Sequence, residues 1–375
     1  MRGKAVIAGI GHTAFGKQPG RSTVSLNIEA CRKAVEDAGI GKDVIDALLV
    51  KVPTSKVEMM YGQKLAEAMG MAPRVGGVFD QAGASNISMI AIAAMAIEAG
   101  QCEVALVTLA DNPRTGSRQA YEKVWGDDAD FGWSSVVAGY AMIAQRYRHE
   151  YGDMDDIHAA IAIAARTHGA NNPHAQLRLP LTRDAYDAAP WVVEPLRRDD
   201  CCLVSDGAAA VVVMSAGRAA ELGVRQPVPI LGFGQGNSST DIPQRPDLTR
   251  TMADVSARTA FRMAGMEPKD IDVAQIYDCF TITVAMTLEA YGFAPKGGLK
   301  DLAVNGGFGV DGQLPLNTSG GLLSETGMPG LQLVLEGARQ MRGTSTNQVK
   351  DARTCIVSNQ GGIMHTHSTL ILGRA

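Results

Sequence analysis

Residues 81–86, Gln81-Ala82-Gly83-Ala84-Ser85-Asn86, stand where a short strand, Gly77 to Asp80, is expected to give way to a helix ending at Gly100. That helix carries Ile87, Met89, Ile90, Ile92, Met95 and Ile97, so it is apolar on nearly every face and belongs inside the protein. The start of a buried helix offers unpaired N–H groups and the positive end of the helix dipole, a place that favours negative charge. A thiol there would ionise easily and act as a nucleophile. The turn itself, with Gly83 and Ser85 in it, carries no thiol. A second chemical feature is His365-Thr366-His367. Alternate residues of a strand share a face, so the two imidazoles could enter a site together and handle protons, or hold a metal. They could equally be two solvated histidines on a surface strand. No third ligand has suggestive spacing, and no metal site is expected.

Two other patterns carry less. Gly9-x-Gly11, with Gly16 five residues on, follows a strand but lacks the spacing of a dinucleotide loop. Cys201 and Cys202 are adjacent, which suits neither a metal site nor an ordinary disulfide, and they read as buried structural thiols. Six cysteines without a C-x-x-C pair fit a reduced, cytoplasmic protein. A net charge of -4 with no long run of one sign excludes the basic footprint of a nucleic-acid binder. The longest apolar helix candidate, Ile87 to Ile97, falls short of the ~20 residues of a membrane span, and no signal peptide is expected.

The elements around these residues repeat. A strand at Lys4 to Gly9 precedes a helix at Ser25 to Ala38, which stops at Gly39 before a strand at Ala47 to Val50. Arg32, Ala34, Ala38 and Gly39 match Arg258, Ala260, Ala264 and Gly265 at a constant offset of 226. Each glycine is followed by an acidic turn and then a strand, Asp43 to Val50 and Asp270 to Tyr277. Ala208 to Met214 and Ser368 to Leu372 look like the closing strands of two units. The chain of 375 residues therefore reads as a duplicated α/β unit, 1–225 and 226–375. Residues 111–195, broken by five prolines, read as an insertion lying over the first unit, the usual place for substrate contacts.

Several blocks together resemble the thiolase superfamily, nearest to its sterol-carrier-protein thiolase-like branch. They are Gln81 to Gly100 with the strand Glu103 to Leu109; Asn171-Asn172-Pro173 through Pro195-Leu196 to Ser205-Asp206-Gly207-Ala208-Ala209; Ile276-Tyr277-Asp278-Cys279-Phe280; Gly312 to Gly321; and Gly361-Gly362. The resemblance implies an α/β fold of two βαβαβαββ halves in five layers, α-β-α-β-α, acting on acyl-coenzyme A. It also implies a homodimer, and a small OB-fold protein with a zinc ribbon as a partner. Trp125, Phe131, Trp133 and Trp191 would form the partner's landing surface. Coenzyme A would enter as part of the substrate, with no tightly bound cofactor.

Set against the family's motifs, the resemblance implies changed chemistry. Gly83 stands at the nucleophilic cysteine, and Met328 in Gly327-Met328-Pro329 at the histidine that activates it. Ser358 to Gly362 replaces the C-terminal Cys-x-Gly. Tyr277 replaces the histidine of the oxyanion hole, and a phenol can hold or protonate an enolate. Asn317, with Gly320 and Gly321, preserves the Asn-x-x-Gly-Gly motif. The expected catalytic set is Tyr277, His365, His367 and Asn317; Gly83, Ser85, Asp278, Gly320, Gly321, Met328, Gly361 and Gly362 would line the substrate. Three activities fit: retro-aldol cleavage of a 3-hydroxyacyl-CoA without an acyl-enzyme, acyl transfer through another residue, or acyl-CoA binding without catalysis. Aldolases of this branch carry a second tyrosine after the glycine pair, where this chain has Ser324-Glu325-Thr326-Gly327.

Overall fold

The computed structural model describes residues 2–117, 130, 133, 135–239, 241–328 and 330–374. Its strands are β1 (Ala5–His12), β2 (Ala47–Lys51), β3 (Val75–Val78), β4 (Val104–Asp111), β5 (Trp191–Val193), β6 (Leu196–Arg197), β7 (Gly207–Ser215), β8 (Val228–Asn237), β9 (Val273–Gln275), β10 (Thr354–Gly361) and β11 (Thr366–Gly373). The helices are α1 (Thr23–Ala38), α2 (Tyr61–Ala68), α3 (Ser85–Glu98), α4 (Val136–Tyr151), α5 (Asp155–Asn171), α6 (Arg183–Asp187), α7 (Ala216–Glu221), α8 (Ala253–Ala264), α9 (Thr281–Ala290), α10 (Lys300–Val304), α11 (Gly321–Ser324) and α12 (Leu331–Arg342).

Nine strands follow the order β3-β2-β4-β7-β1-β8-β11-β10-β9. The order is two half-sheets meeting edge to edge. They join through β1 and β8, with Val6 opposite Pro229 and Ile7 opposite Val228. Within the first half the period-two alternation of strands sorts side chains between two cores. Val6, Ala8, Leu48, Val50, Leu106, Val212 and Met214 face outward under Leu26, Ala30, Ala34 and Ala38 of α1. Ile7, Leu49, Val107, Val211 and Val213 face inward, in one cluster with Ile87, Met89 and Ile90 of α3. Helix α3 packs against strands of both halves, as does α12, so these two form the central layer. Helices α1 and α8 cover the outer faces of their half-sheets. Arg342, at the end of α12, ties the halves: it pairs with Asp37 at 2.7 Å and donates to the carbonyls of Ala8 and Gln226, each at 3.0 Å.

The repeat at offset 226 has a physical origin. Gly39 and Gly265 end α1 and α8 in the left-handed conformation, at φ 70° and 61°. The glycines of β1 and β8 matter as well. A Cβ on Gly9 would strike the Ala34 carbonyl, and one on Gly232 would strike that of Ala260. Gly9 and Gly11 therefore serve close packing of helix on strand, not a phosphate.

Residues 111–195 do not simply cover the first half. Helix α5 packs against α9, α10 and α11, all from the second half, and Asn172 donates to the Ser319 carbonyl at 2.9 Å. The apolar positions of α5 (Ile157, Ile161, Ala165) are buried in the same core cluster as residues of those helices. Among the described residues no helix is long and apolar enough to cross a membrane.

Candidate active site

The turn into α3 is built by short polar side chains. Ser85 Oγ accepts from the Gln81 amide and donates to the Ala82 carbonyl, both at 2.7 Å. Ser85 is thereby a brace for the turn. From β11, Thr366 donates to the Gln81 carbonyl at 3.0 Å and Ser368 to that of Ala84 at 2.8 Å. Thr366 and Ser368 therefore occupy the strand face that looks at the start of α3. His367 points to the other face, with Nε2 3.0 Å from the hydroxyl of Tyr291. His365 lies just before the strand, with Nδ1 3.2 Å from Ser239 Oγ. The two histidines are not brought to Tyr277 as a pair. Burial pushes His365 down to about 4 and His367 to about 3, so both are neutral at physiological pH. No group of three or more metal-ligating side chains occurs among the described residues.

Tyr277 follows β9 and is held on all sides. Asn317, in the left-handed conformation at φ 48°, copies a strand partner: its Oδ1 accepts from Ile276 N at 2.7 Å and its Nδ2 donates to Ile276 O at 2.9 Å. Each such bond is worth ~1 kcal/mol net. Asn317 thus aligns the segment that carries Tyr277. Ser358 Oγ accepts from Tyr277 N at 3.1 Å, and Thr283 Oγ1 donates to Tyr277 O at 2.8 Å. The fully buried Asp278 carboxylate accepts from the amides of Leu322 and Leu323 at 2.7 and 3.3 Å. A side chain on Gly321 would collide with that carboxylate, which explains the glycine. A Cβ on Gly320 would lie 2.8 Å from the Cα of Gly169 in α5. Burial raises Asp278 to about 7 despite these amides.

These anchors bring the ring of Tyr277 to Gly83. A Cβ built on Gly83 would lie 2.6 Å from the phenol oxygen and 2.8 Å from its ring carbon, and closer still to the Gln360 carbonyl. The phenol stands where a side chain at position 83 would begin. On the other side of the ring, Gly330 approaches so closely that its Cβ would lie 2.7 Å from Tyr277 Cε2. Met328 is buried, and its carbonyl accepts from Gly330 N at 2.6 Å. Gly361 and Gly362 form the turn after Gln360; Gly361 abuts the Gln81 carbonyl and Ala82, and Gly362 the ring of His365. Gly83, Gly330, Gly361 and Tyr277 thus converge at the start of α3, with Met328 two residues before Gly330, while Asn317, Asp278, Gly320 and Gly321 support them from behind.

Burial disfavours the thiolate form of every cysteine. Burial raises Cys31, Cys201 and Cys279 to about 12 and Cys102 to about 11, and lifts Cys202 and Cys355 well above the usual thiol range. Sequence reasoning missed three polar side chains. Glu325, fully buried, accepts from Ser319 at 2.6 Å and from Asn172 at 3.2 Å, and burial raises it to about 7. Tyr140 and Gln360 hydrogen-bond across 220 residues of sequence, a pairing with no local signal.

Comparison with known proteins places this architecture. Residues 234–374 match the family described as thiolase C-terminal domain-like. The chain is 35% identical over 391 aligned positions to a 17-hydroxy-3-oxo-4-pregnene-20-carboxyl-CoA lyase of Mycobacterium tuberculosis, covering all of both chains. It is 33% identical to a steroid side-chain-cleaving aldolase of Thermomonospora curvata, covering 100% of this chain and 98% of the relative. The solved structure titled Ltp2-ChsH2(DUF35) aldolase superposes with a TM-score of 0.90 at 33% identity, over 100% of this chain and 98% of the other. The chain belongs to the thiolase superfamily, in its sterol-carrier-protein thiolase-like branch.

Proposed function

We propose that the protein cleaves the C2–C3 bond of a 3-hydroxyacyl-CoA by a retro-aldol reaction, without an acyl-enzyme. The observation that carries this reading is the Tyr277 phenol standing in the place of a side chain at Gly83, at the start of the buried helix α3. An acyl-enzyme needs a nucleophile there. Retro-aldol cleavage needs instead a group that holds the thioester oxygen as it gains charge. The phenol supplies that hydrogen bond, and the dipole of α3 adds to it. As the C2–C3 bond breaks, C3 becomes a carbonyl and the electron pair passes to the enolate of the shortened acyl-CoA. The proton lost by the 3-hydroxyl ends on C2. One relative is named a steroid side-chain-cleaving aldolase and another a 17-hydroxy-3-oxo-4-pregnene-20-carboxyl-CoA lyase, so a bulky ring-bearing acyl group is the first substrate to try. The high thiol pKa values count against acyl transfer through another cysteine. Tyr277→Phe keeps the ring and removes the hydroxyl. Turnover should fall roughly tenfold to a thousandfold, the scale of one oxyanion donor or general acid; unchanged kinetics in a folded variant would overturn the reading.

The same reading includes assembly in the cytoplasm as a homodimer with a small OB-fold, zinc-ribbon protein, and no tightly bound cofactor. Strand β3 ends the sheet order and so offers a free edge to a second copy. Trp191 is 44% exposed, with Arg197 3.9 Å over its ring, a platform not tucked beneath its own loop. Trp133 instead packs on Gly139 and donates to the Ser135 carbonyl at 2.7 Å. Trp125 and Phe131 lie outside the described residues. The related aldolase structure is itself titled with a DUF35 protein.

A further inference from the structure

Tyr140 belongs to α4, in the segment between β4 and β7, and it is buried. Its hydroxyl donates to the Gly362 carbonyl at 2.6 Å and accepts from Gln360 Nε2 at 2.9 Å. The same Nε2 lies 2.9 Å from Cys279 Sγ, and Gln360 Oε1 accepts from Met364 N at 3.1 Å. The Gln360 side chain therefore reaches across the Gly361–Met364 turn and locks it from within. The ring of Tyr140 rests 4.3 Å from that of Phe280, two residues past Asp278. The neighbouring Gly139 is wedged against Ile363 and Trp133, each 2.6 Å from where its Cβ would stand. Helix α4 thus presses its first turns onto residues 360–364.

That turn is one wall of the site. The main-chain carbonyl of Gln360 crowds the missing side chain of Gly83 together with the Tyr277 phenol. The hydroxyl of Tyr140 is in turn within electrostatic range of both Tyr277 and Cys279. The geometry points to Tyr140 as a positioning residue: through Gln360 and Gly362 it holds the wall that fixes the Tyr277 hydroxyl against the start of α3. It touches no reacting atom. Its effect on turnover passes through Tyr277, and this inference rests on the proposed lyase reaction. It also assigns the α4 segment a task beyond covering the fold, since displacement of that helix would loosen the catalytic phenol.

The test is a double-mutant cycle on turnover of a 3-hydroxyacyl-CoA, joined to hydrogen exchange. Tyr140→Phe keeps the ring and removes both hydrogen bonds. It should lower kcat about tenfold, the effect of a sub-ångström shift of a reacting group, with KM changed by less than about twofold. In the Tyr277→Phe background the same change should cost less than about twofold, because the group it positions is gone. A merely structural role would cost the same in both backgrounds, and equal losses overturn the inference. Exchange at the amides of residues 360–364 should quicken about tenfold in Tyr140→Phe, the scale of one lost hydrogen bond. That arm needs no turnover: if the parent protein shows no lyase activity, the proposed function fails, and unchanged exchange separately defeats the positioning role. Should Tyr140→Phe fail to fold, Gln360→Met enters the same network from the other side and must show the same non-additivity.

Discussion

Replacing Gly83 with alanine adds one methyl group at the most crowded point of the site. The new carbon would start 2.6 Å from the Tyr277 hydroxyl oxygen. Ordinary contact between such atoms is ~3.5 Å, so the phenol must retreat by nearly 1 Å. The Gln360 carbonyl, closer still and part of the backbone, must yield as well. Overpacking of this kind costs ~1–3 kcal/mol of stability. A displacement of ~1 Å in a reacting group costs ~100-fold in rate. Gly83→Ala should therefore fold, lose ~1–3 kcal/mol in urea unfolding and drop kcat/KM ~100-fold. The assay is release of the shortened acyl-CoA from a 3-hydroxyacyl-CoA, followed by chromatography. Tyr277→Phe in the same background should add little, since the hydroxyl is already displaced. A Gly83→Ala enzyme with normal turnover would show that the phenol does its work from some other position, and the reasoning from this contact would collapse.

Three further outcomes are expected. Incubation with acetyl-CoA or acetoacetyl-CoA should leave the intact mass unchanged; a stoichiometric acetyl adduct on any residue would contradict the loss of the nucleophile. Asp278 and Glu325 are both raised to about 7 by burial, so between ~pH 4 and ~pH 7 the native state keeps protons that the unfolded chain has released. Their contribution to stability is complete below the unfolded pKa values and is lost as pH rises through about 7. Glu325→Gln should flatten that decline in urea midpoints measured at ~pH 5 and ~pH 8, and identical slopes in both proteins would refute the assignment. Co-expression with a small OB-fold, zinc-ribbon protein encoded nearby should yield a stable heteromer that Trp191→Ala weakens; full activity alone, with no co-elution, would remove the partner.

The duplication was legible because caps and close packing demand particular residues. A left-handed helix end asks for Gly39 and Gly265, and the small stripe Ala34, Ala38, Ala260, Ala264 follows from strands lying directly beneath. That positions 83 and 328 carry neither a thiol nor an imidazole was legible too, since it is a matter of residue type alone. The face of a strand was harder to read. His365 and His367 share a spacing, but whether odd or even positions meet α3 is set by the pairing of β11 with β8 and β10, and it is Thr366 and Ser368 that do so. The Tyr140–Gln360 contact joins residues far apart in the chain, and Gly361-Gly362 alone could not announce what braces them.

The contact between the Tyr277 oxygen and Gly83 also bears on how such a protein could change its trade. A thiol arriving first at position 83 would collide with the phenol and the Gln360 carbonyl, spoiling the existing reaction without supplying a new one. A histidine arriving first at position 277 would vacate the space but bring no nucleophile, and Met328 would still stand where the activating base belongs. By this geometry an exchange of one chemistry for the other asks for coordinated changes at positions 83, 277 and 328, because each position constrains what its neighbour can hold.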